Sequence, residues 1–168
     1  MPTRSTITAA PPDATETPAR QPLDDVSKKI IEQLQEDGRR PYAAIAASVG
    51  LSEAAVRQRV ARLVRTGVMQ IVAVTNPLHL GFTRQAMLGI RVDGPLDPVV
   101  EAISGMDEVA YVVITAGSFD VLAEVICEDD EHLLQIMNER IRTIDGVRST
   151  ETFVYLELAK QTYTWGTR

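Results

Sequence analysis

The sequence predicts an α+β chain in two parts: three helices in helix-turn-helix order, then a ferredoxin-like βαββαβ unit. Three observations carry that expectation. Residues 24–67 hold apolar side chains at helical spacing in three blocks separated by glycines, and residues 84–157 alternate β-branched runs with helical ones. The charge also divides: up to Asn76 there are ten Lys/Arg against eight Asp/Glu, and beyond it seven against fifteen, so the formal charge of −6 hides a basic first half.

Each element follows from local pattern. Five of the nine prolines (Pro2, Pro11, Pro12, Pro18, Pro22) fall in residues 1–22 among Thr and Ala, the composition of a disordered arm. Val26, Ile30, Ile31 and Leu34 then form one stripe of a helix that begins at Asp24 and stops at Gly38. Pro41 suits a first helical turn, and Tyr42, Ile45, Ala46 and Val49 make a second short stripe ending at Gly50. Ser52 is an N-cap type and Glu53 complements the dipole of a third helix, which turns Val56, Val60, Leu63 and Val64 inward and closes at Gly67. Val68 to Val74 reads as a strand, and Asn76-Pro77 as the turn that opens a hinge over residues 77–82.

The second unit, residues 83–160, reads as strand Arg84 to Val92, a helix capped by Asp97 and stopped by Gly105, and strand Val109 to Thr115. A turn at Gly117-Ser118, strand Val121 to Cys127, helix Asp130 to Thr143 and strand Arg148 to Glu157 complete it, leaving residues 161–168 as a tail. Two helices cover one face of a four-stranded sheet, yet Val109 to Ile114 and Phe153 to Leu156 are apolar on both faces. A second copy of the chain is the simplest cover for the other face. A homodimer is therefore expected.

Function is concentrated in the third helix. Between Arg39 and Arg65 there are six arginines against one acid, Glu53. At about 100° per residue, Ala54, Gln58, Ala61, Arg62 and Arg65 point away from the apolar stripe, with Arg57 and Arg59 on its flanks. Small residues at the N-terminal end allow close approach to bases, glutamine can bond adenine in bidentate fashion, and arginines reach phosphate or guanine. The expected interface with double-stranded DNA comprises Arg39, Arg40, Ser52, Ala54, Arg57, Gln58, Arg59, Arg62 and Arg65.

Those residues also carry a resemblance. Leu23-Asp24-Asp25, Ile30-Ile31, Leu34 to Arg39, Val49-Gly50-Leu51-Ser52, Arg59 to Leu63, Gly67-Val68 and Asn76 to Gly81 resemble the N-terminal half of the Lrp/AsnC, or feast/famine, regulators. Val109, Thr115, Gly117 to Asp120, Gly146-Val147 and Thr152 to Lys160 resemble the family's RAM domain, so the similarity spans about residues 23–160. It implies a winged helix-turn-helix, a RAM dimer that builds tetramers or octamers, and an amino acid or related metabolite as effector. The family commonly has Gly-Tyr where this chain has Ile71-Val72, and often Ser or Thr near Ala54, which bears on the hinge and the DNA target.

The resemblance implies an effector site between dimers at Gly117, Ser118, Phe119 and Asp120, with Thr150, Thr152 and Val154 as the opposite wall. Amides around Gly117 and Ser118 can take a carboxylate, and Asp120 can balance an ammonium.

Other classes find little in the residues. No Cys/His/Asp set has metal-ligand spacing, no phosphate loop or nucleophile motif is present, and His79 and His132 are the only histidines, so neither metal nor cofactor is expected. Sirohaem decarboxylases look similar to the family, but their reaction draws on histidines and basic residues lining a porphyrin pocket, and this second half is poor in histidine. An architectural protein that wraps DNA with little sequence preference is the other alternative. Without a long apolar run or a secretory leader, a cytoplasmic, nucleoid-associated location is expected and no membrane partner. Cys127, in an apolar strand, is expected to be a small buried hydrophobe.

Overall fold

A computed structural model of the chain describes residues 23–167. The arm expected over residues 1–22 lies outside them. The described chain forms two compact units, one reaching to Val74 and taking in residues 160 onward, the other Thr75–Ala159.

The first unit holds α1 (Asp25–Glu36), α2 (Tyr42–Val49) and α3 (Glu53–Arg65). Its core is Ile30 and Leu34 of α1, Ile45 and Ala46 of α2, and Val56 and Val60 of α3, the expected stripes meeting at one point. Asp24 caps α1 by accepting from the Ser27 N–H at 2.7 Å, and Ser52 caps α3 by accepting from the Ala55 N–H at 3.2 Å. The turn between α2 and α3 needs a left-handed residue, which Gly50 supplies at φ 71°. From Lys160 the chain rejoins this unit, where the Gly166 N–H donates to Gln35 Oε1 at 3.2 Å and the Thr167 hydroxyl to Glu32.

Two expectations fail here. Val68 to Val74 forms no strand: the N–H groups of Val68 and Met69 turn back to the Leu63 carbonyl at 3.0 and 3.2 Å, and the rest finds no ladder partner. β-Branched composition prepares a strand, but pairing makes one, and among the described residues this segment has no pairing partner. Val64 is not inward but 44% exposed, lining a groove of about 530 Å³ with Tyr42, Val60 and Ile71.

The second unit runs β1 (Arg84–Val92), α4 (Leu96–Ser104), β2 (Val109–Ile114), β3 (Val121–Cys127), α5 (Asp130–Gln135) and β4 (Val147–Val154). The strands pair antiparallel in the order β2-β3-β1-β4, the ferredoxin-like arrangement. Ala86, Leu88 and Ile90 of β1 and alternate β3 residues from Val121 to Cys127 are fully buried, packed with Val99 and Ile103 of α4 and Leu133 of α5.

Boundaries differ in physically readable ways. Helix α4 starts at Leu96 with Pro95 as N-cap, so Asp97 is a first-turn acid and not the cap. Strand β4 stops at Val154 and not Glu157, because β1 is ending beside it; the Tyr155 N–H makes one last bond to the Gln85 carbonyl, 2.9 Å. The helix expected from Asp130 to Thr143 is α-helical only to Gln135, then continues as a π-helix over Ile136–Ile141. Both ends of that turn, Ile136 and Ile141, are buried. Side chains five apart would diverge on an α-helix, and the wider π turn brings them to one face.

Candidate nucleic-acid interface and effector site

On α3 the apolar stripe fixes the roll of the helix. Val56, Val60 and Leu63 are buried, which leaves Ala54, Gln58, Ala61, Arg62 and Arg65 exposed on the outer side, as the periodicity predicts. Among the described residues the side chains of Gln58, Arg62 and Arg65 make no hydrogen bond or ion pair, so their donors face outward unengaged. Ser52 is exposed too, although its hydroxyl is committed to the cap.

The remaining arginines are anchored. Arg57 donates to Glu53 Oε1 at 2.8 Å and lies over the Tyr42 ring, 5.3 Å from its centroid. Arg59 donates to Asp24 Oδ2 at 2.6 Å and to Ser27 Oγ at 3.1 Å. Hydrogen bonds from Ser27 first and Arg59 second hold the Asp24 carboxyl down at about 2. Arg40 pairs with Glu36 at 3.3 Å one turn back on α1, while the exposed Arg39 side chain has no partner among the described residues.

The Gly117–Asp120 turn is held on every side. Asp120 Oδ2 accepts from the Val92 N–H at 2.9 Å, the Asp120 N–H donates to the Ile90 carbonyl at 2.9 Å, and the Thr115 hydroxyl donates to the Phe119 carbonyl at 2.6 Å. Arg91 Nε donates to the Ser118 carbonyl at 2.8 Å while its guanidinium sits 4.7 Å from the Phe119 ring centroid. Phe119 lies over Gly89, where an added Cβ would come within 2.7 Å of the ring, and meets Phe153 edge to face at 6.0 Å. The N–H groups of Gly117 and Ser118 make no hydrogen bond among the described residues and both residues are exposed, so an anion has donors to meet there.

Strand register places the residues expected as the other wall on the opposite face from the turn. Thr150, Thr152 and Val154 stand opposite Ile90, Leu88 and Ala86, on the face that packs the helices. Thr152 accordingly bonds Met137 Sδ and Thr150 accepts from Arg142. Gly89, under the Phe119 ring, is one residue out of phase with them. The β4 residues on the turn's side are Ser149, Glu151 and Phe153, opposite Arg91, Gly89 and Met87. Arg91 and Phe153 thus share the turn's side of the sheet, a placement that the period of two on β1 and β4 encodes.

Among the described residues no helix covers that second face. Tyr111 is 54% and Phe153 44% exposed, around a polar centre where Gln85 donates to Glu124 at 2.9 Å and burial, then a bond to Glu124, push the Tyr155 hydroxyl up to about 12. Cys127, on the helix face, is fully buried, and burial pushes its thiol up to about 11, as expected of a small buried hydrophobe.

Comparison with known proteins extends the geometry. The AsnC-type helix-turn-helix domain matches residues 23–64, and an AsnC-type C-terminal dimeric α+β barrel domain matches residues 82–168. A helix-turn-helix transcriptional regulator of Pyrococcus abyssi is 34% identical over 146 residues, covering 86% of this chain and 90% of the relative. The proline dehydrogenase transcriptional activator of Rhizobium radiobacter is 32% identical over 145 residues, 83% of this chain and 93% of the relative. The leucine response regulatory protein LrpA of Mycobacterium tuberculosis superposes with a TM-score of 0.75 at 30% identity, over 83% of this chain and 96% of that one. With both halves matched and the helix-turn-helix and barrel sheet in place, the chain belongs to the Lrp/AsnC family of helix-turn-helix transcription regulators.

Proposed function

We propose that this regulator reads a specific DNA sequence with the outer face of α3 and adjusts that binding to an amino acid or related metabolite taken by its C-terminal unit. The observation that carries the DNA reading is the outer face itself: Gln58, Arg62 and Arg65 exposed and unengaged among the described residues, with no acid on the helix after Glu53. Gln58 reads a base, Arg62, Arg65 and Arg39 contact phosphate, and Ala54 allows close approach. A second copy of the chain covers the open sheet face, and further pairing of dimers into tetramers or octamers brings two Gly117–Asp120 turns together. The unengaged Gly117 and Ser118 amides suit a carboxylate, and Asp120 Oδ1 and Arg91 supply charge beside them. The names of the Mycobacterium and Rhizobium relatives point to leucine and to proline catabolism, which supports an amino-acid effector here. In this reading the protein works in the cytoplasm on the nucleoid and performs no catalysis.

The test begins with a duplex selected from a random library by the wild-type protein. Arg62→Ala should lower the salt slope of binding to it by about 0.9, one phosphate contact. Gln58→Ala should weaken binding by about 1–3 kcal/mol and relax preference at one base pair. Two folded variants that bind like wild type would refute the assignment of α3. Equal affinity of the wild type for selected and unrelated duplexes would favour the architectural role.

A further inference from the structure

The six arginines between Arg39 and Arg65 look equivalent in a charge count, yet the structure divides them by what they face. Arg59 is the extreme case. Its guanidinium crosses from the flank of α3 to the N-terminus of α1, 35 positions earlier in the chain, and reaches Asp24 Oδ2 at 2.6 Å. It also reaches Ser27 Oγ at 3.1 Å, and Ser27 is the buried polar residue among the described residues. The same Asp24 carboxylate accepts from the Ser27 N–H through its other oxygen, 2.7 Å. Cap, buried hydroxyl and guanidinium thus form one polar link between two helices that otherwise share an apolar core of Ile30 and Leu34 with Val56 and Val60.

Roll is the quantity that base reading depends on. Gln58 is the residue before Arg59, and a bidentate contact to adenine tolerates little rotation of the helix about its axis. A cation already held by a carboxylate, and 35% exposed, is also poorly placed to displace counterions from DNA. Resting on the assignment of α3 above, we infer that Arg59 is a positioning residue: with Asp24 and Ser27 it sets the roll of α3 so that Gln58 meets its base, and it makes no phosphate contact itself.

Two mild variants test this against the wild-type-selected duplex and an unrelated duplex of equal length. Asp24→Asn keeps a good N-cap for α1 while removing the charge that holds Arg59, and Arg59→Gln removes the cation. Both should lower affinity for the selected duplex by about tenfold, leave the unrelated duplex within about twofold, and leave the salt slope unchanged. Arg59→Lys, which keeps the charge, should recover part of the loss. A phosphate contact predicts the opposite pattern: Arg59→Gln would lower the slope by about 0.9 on both duplexes, and Asp24→Asn would tighten binding by releasing the cation. That result, or wild-type binding to both duplexes with only a lower melting temperature, overturns the inference. Failure of α3 as the reading element would instead show as unaltered binding in Gln58→Ala and Arg62→Ala, so the two failures are separable.

Discussion

The outer face of α3 and the Gly117–Asp120 turn are both polar, exposed and rich in charge-bearing neighbours, but their side chains stand in opposite situations. On α3, Gln58, Arg62 and Arg65 have no partner among the described residues, and the helix is held by what lies behind and beside them: Val56, Val60 and Leu63 in the core, Arg57 on Tyr42, Arg59 on Asp24. In the turn, the Asp120 carboxylate, the Thr115 hydroxyl and the Arg91 guanidinium are engaged with the turn's own backbone and that of β1. The first region separates the residues that hold the helix from those proposed to read DNA. In the second, the groups proposed to meet an effector also hold the turn, so a substitution there changes the scaffold before any recognition.

That contrast predicts unequal stability costs. The largest belongs to Gly89→Val, because the Phe119 ring already occupies the space a Cβ would need, 2.7 Å away. Overpacking there should cost about 3 kcal/mol in a denaturant melt and unseat the ring from Phe153 and Arg91. Wild-type stability in that variant would mean that the ring moves without penalty and that the turn is not rigid. Next comes Asp120→Ala, which strands the Val92 N–H and should cost about 1–2 kcal/mol. Asp120→Asn keeps an acceptor for that N–H and removes only the charge. It should hold the fold to within about 1 kcal/mol and abolish the thermal shift that an amino-acid screen finds in the wild type. An Asn variant that still responds like wild type would show that no ligand ammonium pairs with Asp120.

How much of this was legible in the sequence follows the same division. Helical stripes such as Ile30 and Leu34 or Val56 and Val60 locate their elements because burial is periodic, and the outer face of α3 follows as the complement of its stripe. Long-range pairing is what one sequence conceals. Val68 to Val74 has strand composition but no partner among the described residues, and the anchoring of Arg59 depends on a carboxylate 35 positions away. Thr150, Thr152 and Val154 share a strand with Phe153 but lie on the face away from the Gly117–Asp120 turn, since a shift of one residue exchanges the two sides of a strand. The π turn left a trace, the five-residue step from Ile136 to Ile141, that an α-helical period does not allow for.

The smallest expected effect is the sharpest test of the comparison. If α3 separates holding from reading, then Gln58→Ala, Arg62→Ala and Arg65→Ala remove side chains that stabilise nothing within the described chain. Alanine is also the best helix former, so any lost side-chain contact with solvent is offset by propensity. Each variant, and the triple variant, should therefore melt within about 0.5 kcal/mol of wild type while DNA affinity falls. The comparison with Arg59→Gln matters most, because that residue lies between Gln58 and Val60 yet should lower the melting temperature, having lost its bonds to Asp24 and Ser27. Equal destabilisation by Arg62→Ala and Arg59→Gln would show that the outer face also holds the helix, and the contrast between α3 and the turn would collapse.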